Sequence, residues 1–177
     1  SSSSQARRAE HMYGLIQQLA PGRFSSPAVD FHALAPEIIL LATVVGLVLL
    51  DSIKLERARA LMPAVVNIGL LTALVPLVTL ASSGEQRSLF EGSYVVDSMS
   101  LLLKALFLVS AYVVVLLSTN YVAEGDYWES EYYTLLASSV LGMLVMASSR
   151  DLVGIFVALE LLSIPAYILA AWRKGDS

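Results

Sequence analysis

The sequence predicts an all-α membrane protein of five transmembrane helices, and three observations predict it. The first is composition: 177 residues, 56% hydrophobic and only 15% charged, where a soluble domain is about half apolar and a quarter charged. The second is segmentation. Five apolar runs are each long enough to cross a bilayer of roughly 30 Å, which takes about 20 helical residues. The third is the absence of the apolar–polar alternation that a membrane barrel needs. Lipid satisfies no backbone group, so the runs must be helices rather than open strands.

In chain order, residues 1–30 come first and differ in kind. SSSSQARRAEHM is rich in Ser and Arg and nearly free of acids. That composition reads as the remnant of an organelle transit peptide; a cloning remnant ending at His11-Met12 is the alternative. YGLIQQLAPGRF follows and could form a short amphipathic turn at the membrane surface. Residues 31–177 form the transmembrane domain. Its helices are expected at about 33–50, 61–82, 95–119, 131–148 and 151–172.

Pro36 suits the first turn of helix one, where its missing N–H costs nothing. Tyr94, Tyr112, Tyr121, Trp128, Tyr132, Tyr133, Tyr167 and Trp172 cluster mostly near span ends, as interfacial aromatics do. Only the stretch Ser148-Ser149-Arg150-Asp151 joins helices four and five, so these two must be antiparallel neighbours. Ser138 and Gly142 lie one turn apart on helix four, a small-xxx-small face that permits close helix contact. With the N-terminus outside, the inside loops carry Lys54, Arg57, Arg59, Arg173 and Lys174, against Arg23, Arg87 and Arg150 outside. That balance favours N-out and C-in.

Composition also excludes functions. There are no cysteines, which removes disulfides, thiolate catalysis and cysteine-held metals. The two histidines, His11 and His32, precede the first span, so a haem or zinc site built by this chain alone is not expected. A net charge of −4 argues against nucleic acid. No phosphate-binding glycine loop or nucleophile constellation is present.

Two ionisable residues lie inside spans. Glu160 is near the middle of helix five, and Lys104 is well inside helix three. A charge at a helix centre costs roughly 2.5–3.5 kcal/mol on insertion scales, so such groups face a polar interior and find a partner. Pro165 lacks an N–H, which leaves the carbonyl of Leu161 without its helical donor, beside Glu160. Water or a protonated side chain could reach that spot. Plainer readings stand alongside. Glu160 could be a helix–helix hydrogen-bonding residue. Lys104 could snorkel to an interface. Asp97 and Glu37 sit where helix N-termini favour acids, with a proton-carrying role for Glu37 as the alternative. Arg150 and Asp151 read as a loop ion pair, and Ser138, Ser139, Ser148 and Ser149 as packing and hydration residues.

The same residues carry a resemblance. EYYTLLASSVLGMLVMASSRDLVGIFVALELLSIPAYILAAWRK is similar to helices four and five of the antiporter-like, proton-pumping subunits of respiratory complex I. The branch it most resembles is subunit N, called NADH dehydrogenase subunit 2 in mitochondria. The markers are Glu131-Tyr132-Tyr133, then LGMLVMASSRDL, then F-x-x-L-E-L-L-S-I-P-x-Y from Phe156 to Tyr167. LAPEIILLATVVGLVLLDS resembles that branch's first helix, and YVVDSMSLLLKALFLVSAYVVVLLSTNYV its third. The likeness covers about residues 30–174.

The resemblance implies a role in proton translocation for Glu160, whose counterpart pairs with a lysine on helix seven. Lys104 matches a polar position and is a second, weaker candidate. FMN, iron–sulfur clusters and ubiquinone are implied for partner subunits, with no cofactor in this chain. Complex I subunits of that branch have about fourteen helices, and five are readable here. The expectation is therefore that other complex I membrane-arm subunits surround the chain, with membrane lipid, and that a second polypeptide supplies the missing C-terminal helices. A piece of a longer protein is the alternative. The transit-like leader points to the mitochondrial inner membrane; without it, a bacterial plasma membrane is the better address. Two other functions stay open at this point: a related cation/proton antiporter or membrane hydrogenase subunit, and a non-transporting assembly scaffold.

Overall fold

The computed structural model describes residues 30–52, 61–84, 86–124 and 129–171. The leader, the basic residues Lys54, Arg57, Arg59, Arg173 and Lys174, and the aromatics Trp128 and Trp172 lie outside them. These residues form five long helices: α1 (Ala35–Ser52), α2 (Met62–Ser83), α3 (Ser98–Glu124), α4 (Glu129–Ser148) and α5 (Leu152–Ala171). Between α2 and α3 runs a short hairpin, β1 (Arg87–Leu89) and β2 (Tyr94–Val96), joined through a 3₁₀ turn at Phe90–Gly92.

Helices α1, α2, α3 and α4 form a ring in which each touches the next and α4 closes back onto α1. Helix α4 also touches α2 and carries α5 on its outer side, so it contacts every other helix. This explains a difference in composition. Among the described residues, four helices are long and apolar enough to cross a membrane: Ala35–Ser52, Met62–Ser83, Ser98–Thr119 and Leu152–Ala171. Helix α4 falls short of that apolarity because protein, not lipid, surrounds it. Its Ser139, Gly142, Tyr132 and Tyr133 meet neighbouring protein rather than hydrocarbon.

The outer faces read the opposite way. On α3, Leu102, Leu106, Val109, Val113 and Leu117 are exposed at helical spacing, while Leu101, Lys104, Leu108, Ala111 and Val115 form the buried stripe. So large an apolar exterior is untenable in water and natural in a bilayer.

Two glycines set helix spacing. A Cβ at Gly69 of α2 would lie 2.3 Å from Thr43 Oγ1 of α1. A Cβ at Gly142 of α4 would lie 2.6 Å from the backbone nitrogen of Leu162 in α5. The close approach of α4 and α5 thus centres on Gly142. Its companion is Ser139, whose hydroxyl donates to the Leu162 carbonyl at 3.3 Å, whereas Ser138 turns back to its own helix at Thr134.

The hairpin is the departure from an all-helical reading. Helix three was expected from about residue 95 and begins at Ser98. Residues 94–96 instead pair with the strand before them, in the register Arg87↔Val96, Ser88↔Val95 and Leu89↔Tyr94. Phe90, Glu91 and Gly92 have φ of 51°, 56° and 95°, so the chain reverses through three left-handed positions, of which only the third is occupied by glycine. Asp97 then caps α3: its carboxylate accepts from the Ser100 N–H at 2.8 Å, and the Ser100 hydroxyl accepts from the Asp97 N–H at 2.9 Å. Hydrophobicity alone does not separate β2 from α3, because Val95 and Val96 are as apolar as the helix that follows Asp97.

Two further expectations need correction. Arg150 and Asp151 do not pair with each other. Arg150 Nη2 lies 2.6 Å from Asp97 Oδ2, and Asp151 caps α5 by accepting the Gly154 N–H at 2.9 Å. Among the aromatics expected at the interface, Tyr133 and Tyr94 are buried in the protein interior.

Candidate functional site

The hairpin is folded onto one end of the bundle, where α1, α3 and α5 begin and α2 and α4 end. An isolated bridge joins Tyr94 to Ser149, and the Arg150 N–H donates to the Ser93 carbonyl at 2.8 Å. Arg87 pairs with Asp30 just ahead of α1. Hairpin, helix starts and the α4–α5 link thereby form one polar cap. Guanidinium contact from Arg87 holds the Asp30 carboxyl below its usual range. The Ser100 N–H, followed by Arg150, does the same for Asp97.

Under this cap lies a buried charge cluster. Lys104 is in the second position of the α3 inner stripe, between Leu101 and Leu108, and is 0% exposed. Its side chain reaches back toward the helix start, as a snorkelling lysine would, yet it ends on a carboxylate rather than in water. Lys104 Nζ lies 2.7 Å from Glu37 Oε1. Glu37 is held in the first turn of α1 and is itself 7% exposed. Tyr94, on β2, donates its hydroxyl to Glu37 Oε1 at 2.7 Å and accepts from Lys104 Nζ at 3.0 Å. Burial first, and then the Glu37 carboxylate, push the Tyr94 phenol far up, so it stays a donor. Ser148, the last residue of α4, is fully buried beside that phenol.

Two atoms of the cluster are left over. Glu37 Oε2 and Ser148 Oγ are shut off from solvent and make no hydrogen bond among the described residues. Buried polar atoms nearly always have a partner, so both mark a place where something else donates or accepts.

Glu160 lies elsewhere. It is half-buried near the middle of α5, with no ion pair or hydrogen bond among the described residues. Its position is nonetheless fixed. The next two residues, Leu161 and Leu162, are the ones pressed against Gly142, and Ser139 holds the Leu162 carbonyl. Pro165 does not end the helix, which runs unbroken to Ala171. Outside this seam α5 is bare: Leu152, Val153, Phe156, Val157 and Tyr167 are each more than half exposed.

The structure thus does not join the two residues singled out from the sequence. Lys104 is engaged with Glu37, and α4 stands between α3 and α5. Lys104 lies six residues into α3 and Glu160 eight into α5. Both helices start at the cap, so the two residues sit at depths of about 9 and 12 Å below it, at 1.5 Å per residue. Sequence reasoning gave Glu37 a capping role and Tyr94 an interfacial one. The missed signal is the heptad-like spacing 101, 104, 108, 111, 115, which puts Lys104 on the inward face.

No family model matches this chain. It is 35% identical over 152 residues to NAD(P)H-quinone oxidoreductase subunit 2 of Gloeobacter violaceus, covering 84% of this chain and 29% of that protein. It is 39% identical over 167 residues to NADH-quinone oxidoreductase subunit N 2 of Chloroherpeton thalassium, covering 92% of this chain and 31% of that protein. Among solved structures it superposes on a chain of respiratory complex I from Thermus thermophilus, with a TM-score of 0.63 and 34% identity over 79% of this chain and 30% of that one. The chain spans about three tenths of the length of the relatives it matches.

Proposed function

We propose that this chain, a relative of NADH-quinone oxidoreductase subunit N, is part of the membrane arm of a complex I-type enzyme and takes part in proton translocation coupled to NADH:quinone oxidoreduction. The single observation that carries this reading is Glu160: an acid near the middle of a membrane helix, firmly seated against α4, with no partner of its own among the described residues. An isolated carboxylate in hydrocarbon is untenable. In its ionised form it therefore needs a cationic group from outside the described residues.

The bare face of α5 is where that group would arrive. Further helices, from a second polypeptide or from the continuation of a longer chain, would cover Phe156, Val157 and their neighbours and bring a lysine to Glu160. In a low dielectric an ammonium beside a carboxylate favours the ionised acid, and its withdrawal favours the protonated one. Movement of the lysine would then make Glu160 take up and release a proton in each cycle. Electron transfer through FMN, iron–sulfur clusters and ubiquinone would take place in partner subunits. The Ser- and Arg-rich leader supports a mitochondrial inner membrane address; the bacterial plasma membrane is the alternative.

The test is Glu160→Gln in the assembled complex, with proton uptake measured during NADH oxidation. Loss of uptake at normal assembly supports the role; normal uptake removes it.

A further inference from the structure

We propose that Glu37 and Lys104, bridged by Tyr94, form a second proton-exchange site, which receives protons beneath the hairpin cap and hands them toward the membrane level of Glu160. The inference rests on the transport reading above and assigns it an additional station. Three observations converge on it. The pair is charged and closed off, with Lys104 fully buried. The phenol of Tyr94 contacts both charges, at 2.7 and 3.0 Å, so a hydroxyl lies ready between donor and acceptor. The second carboxylate oxygen of Glu37 and the hydroxyl of Ser148 are buried without partners among the described residues. A purely structural ion pair would satisfy those atoms within the protein. A proton, or the water that carries it, satisfies them in passing.

The exchange balances. A proton arriving on Glu37 Oε2 converts the carboxylate to the neutral acid. The Lys104 ammonium then lacks its counter-charge between Leu101 and Leu108. It releases a proton to a base further along, a water or a carboxylate, and becomes a neutral amine. The carboxyl proton moves to that amine through the Tyr94 hydroxyl, which contacts both groups. The ion pair is restored, with one proton taken in and one given out. Tyr94 and Ser148 position this transfer, while Glu37 and Lys104 hold the proton.

A structural pin and a proton site make opposite predictions for the charge-free pair. Glu37→Gln combined with Lys104→Met leaves no buried charge unmatched, so a pin is restored and a carrier is not. In sealed membrane vesicles holding the assembled complex, the double variant is expected to assemble and to lose proton uptake per NADH oxidised by roughly twofold or more. Normal uptake would overturn the proposal, and a loss in a parallel Glu160→Gln sample would show that the broader transport reading survives it. If the double variant does not assemble, Tyr94→Phe decides, because it removes one hydroxyl and no charge. Reduced uptake at normal assembly supports the site, and unchanged uptake overturns it. Normal uptake in Glu160→Gln, with loss in the Glu37 and Lys104 variant, would move the proton path to this pair and remove only the role given to Glu160.

Discussion

The ammonium of Lys104 lies 2.7 Å from the carboxylate of Glu37, and the two residues belong to different helices, α3 and α1. Both are closed off from solvent, so each is the other's only counter-charge among the described residues. The pair ties the start of α1 to the inner face of α3, and Tyr94 ties both to the hairpin.

Breaking that pair from one side is expected to be costly. Lys104→Met alone leaves a buried carboxylate, and Glu37→Gln alone leaves a buried ammonium. Each should destabilise the chain by about 3–5 kcal/mol, with the double substitution much milder. The amount of chain recovered in assembled complex, and its resistance to thermal unfolding in detergent, measure this. Single variants as stable as the double would show that the charges do not depend on each other.

Gly69 and Thr43 should behave as a coupled pair. A methyl at Gly69 would sit 2.3 Å from Thr43 Oγ1, closer than any real contact. Gly69→Ala is expected to cost about 1–3 kcal/mol, as overpacking does. Adding Thr43→Ala opens the space and should return most of the loss. A double variant no better than Gly69→Ala would show that α1 and α2 do not meet at this point.

Gly142 faces backbone, which cannot move aside as a side chain can. A Cβ there meets the Leu162 nitrogen at 2.6 Å and the Ala158 carbonyl oxygen at 3.0 Å. Gly142→Ala is expected to push α5 away from α4 and carry Glu160 with it. Transport should fall even where assembly persists, since a displacement of about 1 Å costs a positioned group on the order of 10²-fold. Proton uptake per assembled complex is the readout, and wild-type uptake would show that the seam tolerates a methyl.

The cap should weaken in acid. Asp97 is held below its ordinary value by the Ser100 N–H and then by Arg150, and Asp30 by Arg87. A depressed folded-state value means stability that is present above the unfolded value, about pH 3.9, and lost as pH falls through the folded one. Wild type should therefore exceed Asp97→Asn in thermal stability at pH 6, with the gap closing below about pH 4. A gap that stays constant with pH would mean the carboxylate's charge contributes nothing.

Much of the architecture was legible in the residues. Five apolar runs, the short Ser148-Ser149-Arg150-Asp151 link, and Gly142 on a small-residue face lead to five helices with α4 and α5 back to back. Hydrophobicity sets these features, and hydrophobicity is written locally. The hairpin was hidden because β2 is as apolar as the helix it precedes. The reversal before it depends on left-handed backbone at Phe90 and Glu91, which no propensity favours.

The site divides the same way. From the sequence alone, Glu160 stands out as an acid in a membrane helix and Lys104 as a buried base, because the bilayer makes any charge conspicuous. Which charge meets which is a matter of tertiary structure. Glu37 is far in the chain from Tyr94 and Lys104, and each of the three has an adequate local explanation. Their meeting depends on α1 packing beside α4, on α3 turning its 101–104–108 stripe inward, and on the hairpin folding over the helix starts. A residue's type fixes the charge it carries, but only the packing of distant segments fixes the partner that neutralises it.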